Sequence, residues 1–364
     1  MVNLIWESIK VSPSELSLSK VLRCGQAFRW KNIGGVWSCS LGPRVVFLRQ
    51  DNDDLHYSSY PQTDKLSEII KDYFQLDVKV SELYKLWKKT DTNFNKNCVG
   101  FEGVRMLRQD PWENTISFIC SSNNNVKRIS SMCNNLCLHF GRYILNHEGV
   151  DYYEFPSPDK LSPSNAEQKL RDLGFGYRAK YIQKTARMIH ESKQDLSKLR
   201  NLPYEETHSE LLKFTGVGPK VADCICLMSM DKNEAIPVDT HVYQIAKRDY
   251  KLKMKGETVT KENYALIKKF FIEKWGPYAG WAQSVLFAAD LKDLNNGINQ
   301  VKAKEIVKIN GVKTEKGLKR TVNTDIKIEI ETKNSIKIET EEEIEYSNTG
   351  RIKRRKTAKA KSYH

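Results

Sequence analysis

Between residues 28 and 60 apolar and polar positions alternate through four short runs, FRWKN, VWSCSL, RVVFLRQ and DLHYSSY, the period of half-buried strands. Turn-forming residues separate them: Gly34-Gly35, Gly42-Pro43 and Asp51-Asn52-Asp53-Asp54. The pattern predicts an antiparallel meander. Beyond residue 63 the apolar spacing changes to that of helices, predicted over 65–74, 81–89, 112–121, 125–140, 166–173, 178–190, 204–214, 220–229, 240–248, 261–275 and 279–291. From about residue 295 aromatics nearly vanish and Lys and Glu dominate, a composition that cannot bury enough surface to offset chain entropy. The reading is an α+β fold. Residues 1–105 form an N-terminal domain with an antiparallel sheet, 106–294 an all-helical body, and 295–364 a mostly disordered charged tail.

Composition narrows the partners. Hydrophobic residues at 40% of 364 supply a sizeable core, and a net charge of +14 favours a polyanion, nucleic acid first. An anionic membrane is the rival for any basic protein. No run of about 18 apolar residues and no signal-peptide layout at residues 1–10 supports it, so the expectation is a soluble, intracellular monomer with no membrane partner. Eight cysteines lack the paired spacing of a zinc site, which predicts reduced thiols and no metal. Cys133 and Cys137 fall on an apolar helical stripe with Ile129, Leu136 and Phe140 and read as core.

The sharpest chemical signal is LLKFTGVGPKVADCICLMSM at 211–230, the centre of a predicted helix–hairpin–helix over 204–230. One helix ends, Gly216-Val217-Gly218 reverses the chain, and Pro219 suits the first turn of the next helix. Backbone N–H groups at Gly216, Gly218 and the new helix start form a ready anion site that needs no base contact. Lys220 lies in that first turn. Partial burial and the positive helix end both disfavour an ammonium, which predicts a lowered pKa and a usable fraction of nucleophilic amine. A phosphate clamp is the plainer role for such a lysine. Cys224, one turn later, shares its face.

A second cluster follows in AIPVDTHVYQIAKR, residues 235–248. Asp239 is a natural N-cap, and a carboxylate held there can also stabilise positive charge growing on a sugar as its base departs. His241 reads either as a phosphate contact or as a capping histidine.

Several separated motifs, in order, carry a resemblance: CGQAFRW at 24–30, FICSSNNNVKRI at 118–129, LGFGYRAKYI at 173–182, GVGPKVADCICLM, PVDTH and WGPYAGWAQSVLF at 275–287. Together they resemble the eukaryotic 8-oxoguanine DNA glycosylase/lyase family of the helix–hairpin–helix superfamily, from residue 6 to about 293. The iron–sulfur cysteine cluster of endonuclease III-like relatives is absent.

The resemblance implies roles. Lys220 corresponds to the nucleophile that attacks C1′, displaces the damaged base and forms a Schiff base, and Asp239 to the assisting carboxylate. The imine then permits β-elimination, so base release and strand cleavage need no cofactor. The backbone carbonyl of Gly25 would accept the N7 proton that oxidation at C8 creates. Gln283 would read the Watson–Crick edge, with Phe287 and Cys224 on the two faces of the flipped base. Asn123 would fill the gap left in the duplex, Tyr177 would wedge the stack, and Arg128 and Arg178 would read the estranged cytosine. Without the resemblance, Gln283 and Phe287 read as buried helix residues and the two arginines as a solvated basic face. The implied partner is damaged double-stranded DNA, with formamidopyrimidine purines as further substrates. The RIKRRK run at 351–356 reads as a nuclear import signal or a DNA-gripping arm, which predicts a nuclear protein with mitochondria as a second compartment.

Overall fold

Gly34 and Gly35 both adopt positive φ, 55° and 89°, the turn that joins strands of matching twist, and around it the predicted meander forms. The computed structural model describes residues 3–291. Its five-stranded antiparallel sheet runs β1 (Glu7–Lys10), β5 (Asp54–Tyr60), β4 (Arg44–Gln50), β3 (Val36–Leu41), β2 (Lys31–Ile33) across its width. Trp37 pairs with Leu48 and Cys39 with Val46, so one face carries a continuous apolar set. Leu16, Leu22, Trp30, Ile70 and Phe74 close over it.

The opposite face is covered too, which the sequence reading did not anticipate. Within the body expected to be all-helical, Tyr143–His147 (β6) and Val150–Tyr153 (β7) form a hairpin. Leu145 and Tyr152 of that hairpin pack on Val45 and Phe47, and the hydroxyls of Ser38 and Tyr152 approach to 2.6 Å. Consecutive residues Val45 to Leu48 are therefore all buried, because both sides of β4 meet protein. FRWKN enters the sheet only at Lys31, since residues 24–30 cross from the sheet to the helices.

That crossing is held at several points. The Gln26 amide donates to the carbonyl of Arg105 (2.9 Å) and its oxygen accepts from the N–H of Leu107 (2.9 Å). Arg29, buried, forks onto Glu113 at 2.7 and 2.5 Å. These bonds fix Gly25, which with Phe28 of the same segment faces the cleft described below.

The remaining elements are helical, and the helix Pro219–Ser229 runs through their centre, with every residue from Val221 to Ser229 buried. It packs against Pro111–Ser121 and Tyr204–Leu211. Asp91 ties the far side: it caps Thr92–Asn97 and accepts from the Tyr250 hydroxyl (2.8 Å) and the Trp275 indole (2.9 Å). All eight cysteines are unpaired and buried, Cys133 and Cys137 within the helical core as expected. Among the described residues no helix is long and apolar enough to cross a membrane. The expectations for residues 295–364, including the basic run, lie outside the described residues.

Candidate active site

Gly216 adopts φ 89°, and a Cβ there would fall 2.7 Å from the ring of Tyr181, so the hairpin closes only with glycine. Gly218 is the N-cap of Pro219–Ser229 with extended backbone and no side-chain cap bond, and nothing lies within 4 Å of where its Cβ would be. No side-chain cap therefore occupies the first N–H groups of this helix, which leaves them to a phosphate. Both glycines and Pro219 sit as their spacing predicted.

From that helix start the Lys220 side chain reaches into a cleft of about 2170 Å³. Its amine stands 5.4 Å from the centre of the Phe118 ring. Gly25, Asn123, Asp239, His241 and Phe287 line the same cleft. Residues from five separated stretches of sequence therefore meet at one cavity. Cys224 and Gln283, also expected there, are buried at 2% and 5% exposure and do not line it.

The charge on Lys220 runs against the sequence expectation. Burial works against the ammonium, yet the Cys224 sulfur and the Asp239 carboxylate outweigh it, and the net direction is upward from the ordinary lysine value. The helix N-terminus and partial burial together predicted a fall because the Cys224 sulfur and the Asp239 carboxylate were not in the balance. Burial pushes the Cys224 thiol up to about 11, against the pull of Lys220.

Asp239 is an N-cap, as its sequence context indicated: it accepts from the Val242 N–H at 2.9 Å at the start of Thr240–Arg248. His241 is exposed. Its Nδ1 lies 3.7 Å from Asp290, and its ring meets Phe287 edge-on at 5.8 Å between centroids. Arg248 holds the other oxygen of Asp290 at 3.0 Å. Phe287 closes toward Gly25, where φ is 82° and a Cβ would come 3.5 Å from the ring.

At another edge of the cleft Asn123 sits at φ 48° in the turn between Pro111–Ser121 and Val126–Phe140. Arg178 is buried beneath this turn, its Nε donating to the Ser122 carbonyl at 3.1 Å and its Nη2 to the carbonyls of Ser122 and Asn123. The solvated-face reading of Arg178 is thereby excluded. Two of its nitrogens are already engaged with backbone. The Tyr177 hydroxyl reaches the Ser122 carbonyl at 3.1 Å and its ring lies 4.6 Å from the Arg178 guanidinium. Arg128 is exposed and touches the Gly174 carbonyl at 3.3 Å.

Sequence reasoning missed Phe118, Asp290 and Asp223. Asp223 had a visible signal, a lone carboxylate amid the apolar run VADCICLMSM, which only a buried, partnered side chain explains.

Two family models cover most of the described chain. Residues 8–115 match "8-oxoguanine DNA glycosylase, N-terminal domain", and 116–277 match "HhH-GPD superfamily base excision DNA repair protein". The "N-glycosylase/DNA lyase" of Saccharomyces cerevisiae is 40% identical over 328 residues, covering 78% of this chain and 85% of the relative. The Arabidopsis thaliana "N-glycosylase/DNA lyase OGG1" is 38% identical over 300 residues, 79% of this chain and 80% of that protein. In three dimensions, the Clostridium acetobutylicum 8-oxoguanine glycosylase/lyase in complex with double-stranded DNA containing cytosine opposite 8-oxoguanine superposes with a TM-score of 0.69 at 33% identity, over 78% of this chain and 96% of the other.

Proposed function

Because the chain belongs to the 8-oxoguanine DNA glycosylase family and is a DNA N-glycosylase and DNA lyase, we propose that it works through Lys220 as nucleophile and Asp239 as the carboxylate that assists it. Its substrate is double-stranded DNA carrying 8-oxoguanine, from which it excises the base and cuts the strand.

In the proposed sequence the neutral Lys220 amine bonds to C1′ and the bond from C1′ to the base breaks, its electron pair leaving with the base. Positive charge on the sugar grows as the base departs, and the Asp239 carboxylate opposes its cost. The sugar ring then opens to an imine of Lys220. The imine draws electron density from C2′, which loses a proton, and those electrons expel the 3′ phosphate. One amine thus serves both steps. The observation that carries this reading is the single cleft in which a half-buried lysine faces Asp239 at the start of a hairpin helix.

For the damaged base, we place the Gly25 carbonyl opposite N7, where 8-oxoguanine offers a proton and guanine a lone pair. Two acceptors facing each other in a dry pocket lose roughly 1–3 kcal/mol, a selective penalty against guanine. Phe287 supplies a stacking plane, and Gln283 and Cys224 back the pocket. Asn123, Tyr177, Arg128 and Arg178 form the edge that replaces the extruded base and meets an opposing cytosine, while Gly216, Gly218 and His241 hold phosphates. Ring-opened purines present a proton near the same position and are proposed as further substrates. The 351–356 run supports a nuclear protein, and a monomer is the proposed state.

The test is a duplex with one 8-oxoguanine opposite cytosine. Wild-type protein releases the base and nicks the strand; Lys220→Gln does neither but still binds the duplex. Excision by Lys220→Gln, or loss of binding with it, would make the residue a phosphate anchor.

A further inference from the structure

Asp223 has no solvent exposure, although it lies one turn from Lys220 on the same helix. Its Oδ1 accepts the Tyr204 hydroxyl at 2.5 Å, its Oδ2 the Tyr264 hydroxyl at 2.5 Å, and both oxygens face the Lys268 ammonium at 3.0 and 3.1 Å. His208 approaches Oδ1 at 3.7 Å. Three helices are joined at one carboxylate: Tyr204–Leu211 before the hairpin, Pro219–Ser229 after it, and Lys261–Trp275.

A buried ion pair of this kind contributes little net stability over an apolar packing of equal volume, because desolvation offsets most of the attraction. What it does secure is register, since each donor is satisfied in one arrangement of the helices only. Burial and the Asp223 charge push both tyrosine hydroxyls well above their usual range, so they remain donors at any working pH.

The two tyrosines differ in their second partner, and that of the Tyr204 hydroxyl is the Lys268 ammonium, from which it accepts. While donating to Asp223, the Tyr264 hydroxyl also lies 3.4 Å from the Val238 N–H, placed to accept it. Val238 immediately precedes Asp239. A single hydroxyl thus bridges the helix that carries Lys220 and the segment that carries the assisting carboxylate, whereas the Tyr204 hydroxyl bonds Asp223 and Lys268 and not that segment.

We propose that Asp223, acting through Tyr264, is the positioning element that holds the Asp239 carboxylate in register with the Lys220 amine. This rests on the roles proposed above for Lys220 and Asp239. Base release needs both groups. Imine formation at a preformed abasic site starts from an aldehyde and needs the amine but no departing base.

The two reactions are therefore measured separately on Tyr264→Phe, Tyr204→Phe and wild type, each with duplex affinity and thermal midpoint. Loss of one hydrogen bond to a charged group predicts that Tyr264→Phe releases 8-oxoguanine about tenfold or more slowly in a single turnover. Its borohydride trapping on an abasic-site duplex is retained or rises, and its duplex affinity is unchanged. Tyr204→Phe, which removes a donor from Asp223 and an acceptor from Lys268 but no bond to the Val238 segment, keeps base release near the wild-type rate. Equal losses in the two variants, a parallel loss of trapping in Tyr264→Phe, or wild-type base release by Tyr264→Phe would overturn the proposal. Should Tyr264→Phe fail to fold, Asp223→Asn carries the same pair of assays: a loss confined to base release supports the proposal, and a loss shared with trapping overturns it. Wild-type protein that never traps on DNA would instead sink the Lys220 assignment, and this proposal with it.

Discussion

The ring of Phe287 stands so close to Gly25 that a Cβ on the glycine would lie 3.5 Å from its Cε1. These residues are 262 positions apart in sequence, one on the crossing segment and one on the last described helix. They form opposite sides of the slot in which the account seats a flipped base.

Gly25→Ala tests that slot. The φ of 82° is left-handed, which costs an alanine on the order of 1–2 kcal/mol, and the new methyl narrows the gap. The expected result is a thermal midpoint lower by a few degrees and a larger loss in 8-oxoguanine excision than in binding to undamaged duplex. Equal losses in both would place Gly25 outside the base pocket.

Asp239→Asn separates capping from catalysis. Asn caps a helix about as well as Asp, so stability should change by no more than about 0.5 kcal/mol. Base release should fall by two orders of magnitude or more, the scale of losing a charge-stabilising group, measured in single turnovers. A normal rate would leave Asp239 only its bond to the Val242 N–H.

The pH dependence follows from the upward direction at Lys220. Only the neutral amine attacks, and its fraction grows about tenfold per pH unit below the pKa, so kcat/KM for the damaged duplex should climb through the alkaline range without levelling below the ordinary lysine value. Removing the Asp239 charge takes away a raising influence, so the profile of Asp239→Asn should shift toward lower pH. A plateau near neutrality in the wild type would show an amine depressed instead.

Arg178→Ala should loosen the turn that carries Asn123. It deletes the donors to the Ser122 and Asn123 carbonyls, a loss of about 1–3 kcal/mol in chemical denaturation. Preference for cytosine opposite the lesion should weaken in competition binding, and an unaltered preference would confine Arg178 to supporting the turn.

The strands β2 to β5 were legible because Gly-Gly, Gly-Pro and an Asp-rich turn punctuate a clean alternation. The hairpin of β6 and β7 was not, although Glu148-Gly149 turn it with positive φ at both positions. Its strands are short, and their apolar residues serve the far face of another sheet. The hairpin glycines, Lys220 and the Asp239 cap could be read locally, since each depends on residues within one helical turn. The direction of the Lys220 pKa could not, because it is a balance of burial against the Cys224 sulfur and the Asp239 carboxylate that spacing alone does not weigh. Arg178 likewise looked like a surface cation until the turn it supports, some 55 residues earlier, was folded over it.

The central claim is a bond between one amine and a deoxyribose carbon. Borohydride reduction during turnover of an 8-oxoguanine duplex, followed by proteolysis and mass mapping of the peptide that retains the oligonucleotide, tests it directly. A single adduct on Lys220, lost in Lys220→Gln, is the expected result. An adduct on another lysine, or excision and nicking with no adduct, would contradict it.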